Sequence, residues 1–205
     1  GQLSQNAYLQ SHNAYRMATV SAHFQEYDAA QRYHRESLEL AQALNYRGGM
    51  ANAYSALGDI AFAQGKYTDA EQQFDEARAI NAEFGNWLDS AACQVQAGNA
   101  ALAGQAYDRA STHLRQVLGR GIGTDGVLSE GLLAWARLLI VQQQPGRAVS
   151  ILRFVAEDAE SSPATRQQAH VLLCQQPGNP KAQQQEIPQR SDLLADILGY
   201  VPRRG

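Results

Sequence analysis

A chain of 205 residues with a net charge of −3 can bury a core of its own but lacks the concentrated basic face that nucleic acid requires. Lys66 and Lys181 are its only lysines, and no apolar run approaches the ~18 residues of a membrane-spanning helix. Direct nucleic-acid binding and a membrane span are therefore not expected. No basic start leads into an apolar run, so no secretory signal is visible. The chain opens on Gly1 without an initiator Met, the start expected either of a fragment of a longer protein or of a trimmed chain. Cys93 and Cys174 stand far apart, which argues against a disulfide framework and fits a reducing cytoplasm. Abundant Ala, Gln, Leu and Glu, with almost no β-branched runs, point to an all-α fold.

Taken in chain order, the helical pattern repeats. Ala30, Ala70, Ala110 and Ala148 follow one another at spacings of 40, 40 and 38. Three residues before them stand Tyr27, Tyr67, Tyr107 and Pro145, and four after them His34, Phe74, Leu114 and Leu152. Twelve residues before them come the small residues Ala18, Gly58, Gly98 and Ala136. A period of this length is the mark of stacked helix–turn–helix units. The predicted helix pairs cover about residues 5–43, 47–84, 87–119 and 126–159, followed by a lone helix at 163–175 that caps the stack. That last helix carries Ala164, Ala169, Val171, Leu172 and Leu173. Residues 176–190 read as an extended linker, and Ser191 as the N-cap of a short helix bearing Leu193, Leu194, Ile197 and Leu198. The domain division is thus 1–175 and 176–205.

The second copy is the clearest. Tyr54, Leu57, Gly58, Ala61 and Phe62 line one helix at steps of three and four. Gly65 suits a left-handed helix end, and Tyr67, Ala70, Phe74, Ala77 and Ile80 line the next helix. Gly58 and Ala70 are small because two helices cross there, and overpacking such a crossing costs ~1–3 kcal/mol.

No constellation in the chain passes the test its chemistry sets. Gly121-x-Gly123-x-x-Gly126 spells a dinucleotide-binding pattern, but a phosphate cradle needs a strand before it and a helix after it. Here a helix precedes it, so a loop between repeats three and four is the better reading, with Asp125 capping the next helix. His12, His23, His34, His113 and His170 lack the spacing that sets two metal ligands on one helical face. His34 occupies the position of Phe74 and Leu114, so packing explains it. Cys93 and Cys174 lack neighbours that would activate a thiolate. The carboxylates, such as Glu36 and Glu39 or Glu157 and Asp158, read as solvated helix faces. No catalytic residue, metal or cofactor is expected, and the chain is not expected to be an enzyme.

Residues 51–82 resemble the tetratricopeptide motif. Its order of aromatic, Leu-Gly, aromatic, Gly-x-Tyr, Ala, Phe and Ala reads here as Tyr54, Leu57-Gly58, Phe62, Gly65-x-Tyr67, Ala70, Phe74 and Ala77. Ala82 replaces the usual final Pro, and the period exceeds the common 34-residue form. The resemblance covers about residues 5–175 and implies a right-handed α-α superhelix of four pairs and a capping helix. Asn45-Tyr46-Arg47-Gly48-Gly49-Met50-Ala51 is similar to the inter-repeat junction of signal-transduction ATPases with numerous domains. Pro145-Gly146-Arg147-Ala148 and the tail from Ser191 to Leu198 are similar to the ends of the same proteins, many of them regulators of the bacterial maltose-activator type.

What the resemblance implies for function is binding on the concave face, formed by first-helix positions. In repeat one these are His12, Tyr15 and Thr19, and in repeat two Asn52, Ser55, Asp59 and Phe62. In repeats three and four they are Val95, Asn99, Leu102, Glu130, Leu133, Arg137 and Ile140. Asn99 falls where peptide-binding members use an Asn to hold backbone. The Lys and second Asn that clamp a C-terminal carboxylate in chaperone cofactors are missing, with Val95 and Gln96 nearby instead. The expected partner is a protein or peptide, with a small inducer and homo-oligomer contacts as further candidates. The implied role is the sensing arm of a multidomain regulator, and the alternative is a self-contained adaptor that assembles with partners.

Overall fold

A computed structural model describes residues 2–120, 126–176 and 187–199. Among them the fold is all-α, as expected, with ten helices and no strand. Short turns join most consecutive helices into hairpins. The described helices are α1 Gln2–His23, α2 Tyr27–Ala43, α3 Arg47–Ala63, α4 Tyr67–Glu83, α5 Trp87–Ala103, α6 Tyr107–Gly119, α7 Val127–Val141, α8 Pro145–Glu157, α9 Pro163–Gln175 and α10 Arg190–Leu198. They fall into two compact units, Gly1–Gln105 with α1–α5 and Ala106–Gly205 with α6–α10.

In the first unit each helix packs on the next. The contact faces are lined by small residues: Ala14, Ala18, Ala30 and Ala41 in the first hairpin, Ala53, Ala61, Ala70 and Ala77 in the second, all buried. Small side chains let helix axes approach, and one large side chain then fills each crossing. Phe74 does so for α3, α4 and α5, where Ala61, Ala70, Ala97 and Ala100 surround it in one apolar cluster. His34 does so in the first hairpin, with only 2% of its surface exposed. Next to it, Ser11 and Ser37 bridge α1 and α2 reciprocally. Each hydroxyl donates to the other residue's carbonyl, at 3.1 and 3.0 Å.

The hairpin turns share one backbone solution. After α3, Gly65 N–H donates to Phe62 O and Lys66 N–H to Ala61 O, at 2.9 and 2.8 Å, with Gly65 at φ 73°. The same pair of bonds closes α1, through Gln25 and Glu26, and α7, through Gln143 and Gln144. These bonds satisfy carbonyls that the helix end leaves open.

In the second unit α6, α7, α8 and α9 pack in sequence over Leu114, Leu118, Leu132, Leu138, Ile151 and Leu152, all fully buried. Ser162 caps α9 by accepting from Thr165 N–H at 3.1 Å. Two expectations change here. The N-cap of α10 is Gln189, not Ser191, because the Gln189 carbonyl already accepts from the Asp192 and Leu193 amides. Ser191 sits exposed inside the first turn. In α9 only Ala169 of the expected apolar set is buried, and Val171 stays 50% exposed. The Gly121 and Gly123 positions, the Asp125 cap and the linker residues 177–186 lie outside the described residues.

Candidate binding face on the first helices

The expected face residues occupy four register positions of the repeat, four columns of its alignment, and these differ in what they present. His12, Asn52 and Glu130 share one column, and all three are exposed. The next column is Tyr15, Ser55, Val95 and Leu133. Here Val95 and Leu133 are buried at 0% and 4% exposure, so they are core residues and offer no surface to a partner. Tyr15 explains the column's direction: its ring meets His34 of α2 edge-on at 5.1 Å. These positions point toward neighbouring helices, and the apolar members are drawn into the packing.

Thr19, Asp59, Asn99 and Arg137 form the third column. Thr19 is exposed, but its hydroxyl donates back to Tyr15 O at 2.9 Å. Asn99 Nδ2 donates to Gln96 Oε1 at 3.2 Å, one helical turn away. Arg137 Nη2 donates to Gln168 Oε1 at 2.8 Å, tying α7 to α9. The fourth column holds Phe62, Leu102 and Ile140. Phe62 is 39% exposed and stacks edge-on against Tyr67 at 5.5 Å, while Leu102 and Ile140 are half-buried.

In the first unit Ser55 and Asp59 of α3 meet α5 at Cys93, a residue outside the expected set. The Cys93 thiol is hydrogen-bonded by Asn81, whose Nδ2 lies 3.9 Å from Sγ, and by Ser55. Burial nevertheless pushes the thiol up, and the Asp89 and Asp59 charges push the same way. This is the opposite of an activated thiolate. Burial also raises the Asp59 carboxyl to about 6, although more than a third of the residue's surface stays open. In the second unit, burial raises the Glu130 carboxyl and lowers the Arg137 guanidinium. Asp59 and Glu130 keep exposed surface and Arg137 is bonded to Gln168, so the shifts mark partial desolvation only. No sequence signal pointed to Cys93 and Asn81, because the helix-to-helix approach brings them to Ser55. Among the described residues no three His, Cys, Asp or Glu side chains gather as a metal site.

A family model of the tetratricopeptide repeat matches residues 10–83 and, in a second overlapping match, 49–120. Together these span more than half of the chain, which belongs to the tetratricopeptide repeat family. No curated protein matches it. Repeats of this family generally mediate protein–protein interaction. No helix among the described residues is long and apolar enough to cross a membrane.

Proposed function

We propose that the chain is a binding module that takes a protein or peptide on its first helices and acts as the sensing arm of a multidomain regulator. The observation that carries this reading is the polar surface of α3 and α5. Asn52 and Asp59 are open there, Asn99 is half-open, and Asp59 is held partly desolvated. The junction at Asn45–Ala51 and the tail from Ser191 to Leu198 support the regulator context through their resemblance to the multidomain ATPases. In this reading residues 1–175 are the repeat array, 176–205 are a tether with its short helix, and the work is binding rather than catalysis. A small inducer on the same face fits the sensing role.

Photo-cross-linking tests the assignment. A benzophenone side chain is placed at Asn52 or at Asn99, and in a control at Gln72, which is exposed on α4. Adducts with the chain's cellular partner are expected from the two first-helix positions. Adducts from Gln72 alone would overturn the reading. A nucleotide-binding P-loop upstream in the full-length chain is the expected mark of the regulator context.

One observation favours the adaptor that self-associates. Leu9, Met17 and Val20 of α1 are each about half exposed, at 51, 51 and 53%. The positions 40 residues on, Gly49, Leu57 and Ile60, are buried. If this face joins two copies, Met17→Glu with Val20→Glu lowers the mass in sedimentation; an unchanged mass excludes that reading.

A further inference from the structure

We infer that α6 and α8 form a docking site for a short amphipathic helix, and that α10 occupies it as a built-in competitor. The chain leaves α9 at Gln175 and returns at Gln189 to lay α10 against α6. Leu193 and Ile197, one helical turn apart, are 6% and 1% exposed. Leu198 closes over Gly119 at the end of α6, where an added Cβ would sit 3.3 Å from the leucine Cδ2. Two ion pairs fix the polarity of the helix. Arg147 of α8 donates to Asp196 Oδ2 through Nη2 at 2.7 Å and Nε at 3.0 Å. Arg190 donates to Glu160, just beyond α8, at 2.6 Å.

The seat is specific in chemistry and modest in hold. A nine-residue helix is shorter than the ~12–15 residues an isolated helix needs, so α10 depends on the seat for its structure. Only two side chains are buried, and both ion pairs are open to solvent, where such pairs contribute little. What favours occupancy is that α10 belongs to the same chain, so its binding is intramolecular, with an effective concentration of about millimolar. A partner helix with Leu and Ile four residues apart, an acid just before the Ile and an Arg three residues before the Leu would read the same seat. It would bind only by displacing α10. This surface is independent of the first-helix face.

The probe is a fluorescein-labelled peptide of residues 187–199, followed by anisotropy. It is expected to bind the full chain carrying Leu193→Asp and Ile197→Asp at least ~10-fold more tightly than the unsubstituted chain, whose seat is taken. Hydrogen exchange should show protection returning in α6 and α8 when it binds. Equal binding to both chains, or no binding to the substituted one, overturns the inference. A second comparison keeps the test valid should that chain unfold. Arg147→Glu alters an exposed side chain, and a peptide with Asp196→Arg should bind this variant several-fold more tightly than the unsubstituted peptide. No preference for the charge-swapped peptide overturns the seat.

Discussion

Phe74 lies over Gly58 so closely that a Cβ built on the glycine would come within 2.7 Å of the ring atom Cε1. Phe74 Cδ1 and Cζ would stand at 2.8 and 2.9 Å, so the whole ring edge blocks the site. The fit is particular to the second repeat, the one repeat with Phe in this register, for the third repeat keeps the glycine, Gly98, with Leu114 as its counterpart. In the fourth repeat the same register holds Ala136 and Leu152, a larger first-helix residue with a smaller partner. Gly58→Ala is therefore expected to destabilise the chain by ~1–3 kcal/mol, the usual cost of overpacking. Adding Phe74→Leu should recover part of that loss, so that the double variant is more stable than the sum of the singles. Urea unfolding of the four chains measures the coupling.

His34 holds the position of Phe74 in the first hairpin, and the interior treats it badly. Its Nδ1 is buried with no hydrogen-bond partner, and burial lowers its pKa to about 4. The folded state thus binds fewer protons than the unfolded state between about pH 4 and 6.5, and stability falls as pH drops through that window. His34→Leu, with the leucine that serves at position 152, removes both penalties. At pH 7 it should raise stability by about 1 kcal/mol or more, the scale of an unsatisfied buried polar atom. At pH 5 the gain should be larger, by on the order of 1 kcal/mol per pH unit below 6.5. Thermal melts at the two pH values check this; a gain that shrinks toward acid contradicts it.

The helix ends were legible from the sequence because apolar periodicity breaks at a constant interval. Their turns were legible only where a glycine announced them. Gly65 takes φ 73° as its residue type suggests, but Gln25, Gln105 and Gln143 adopt 61°, 60° and 61° at the matching positions. Glutamine has no preference for that region. At Gln25 and Gln143 the closing hydrogen bonds impose it. The candidate face was legible in part for a similar reason. Periodicity identifies the first-helix side that carries His12, Asn52 and Glu130. It cannot tell how far a column turns under the next helix, and so it misplaced Val95 and Leu133. The return of α10 to α6 depends on contacts distant in sequence, and no local pattern encodes it.

Ser11 and Ser37 offer a separate measure of how the repeats tolerate polar packing. Their hydroxyls lie 3.3 Å apart, and each donates to the other helix's backbone in a buried crossing. Forty residues on, both positions are alanine, Ala51 and Ala77, and both are buried. The pair changes as a unit. Ser11→Ala or Ser37→Ala alone is expected to cost ~1 kcal/mol, because one hydroxyl then loses part of its bonding. The double variant should cost clearly less than the two singles together. Additive losses would mean that the two hydroxyls act independently.

Asp59 and His34 titrate in the same range with opposite effect. With its carboxyl raised to about 6 in the fold and near 3.8 when unfolded, Asp59 binds more protons in the folded state between those values. Its contribution therefore makes the protein less stable as pH climbs from about 4 to 6, and stays constant above that. Since more than a third of the residue is open, solvent screening holds the effect to a fraction of ~1 kcal/mol. Asp59→Asn should raise the melting temperature slightly at pH 7–8 and leave it unchanged near pH 4. Relative to the unsubstituted chain, its stability should climb more steeply between pH 4 and 6, whereas that of His34→Leu should climb less or fall. If Asp59→Asn instead lowers stability above pH 6, the carboxylate is held by a favourable partner and its desolvation is not the dominant effect.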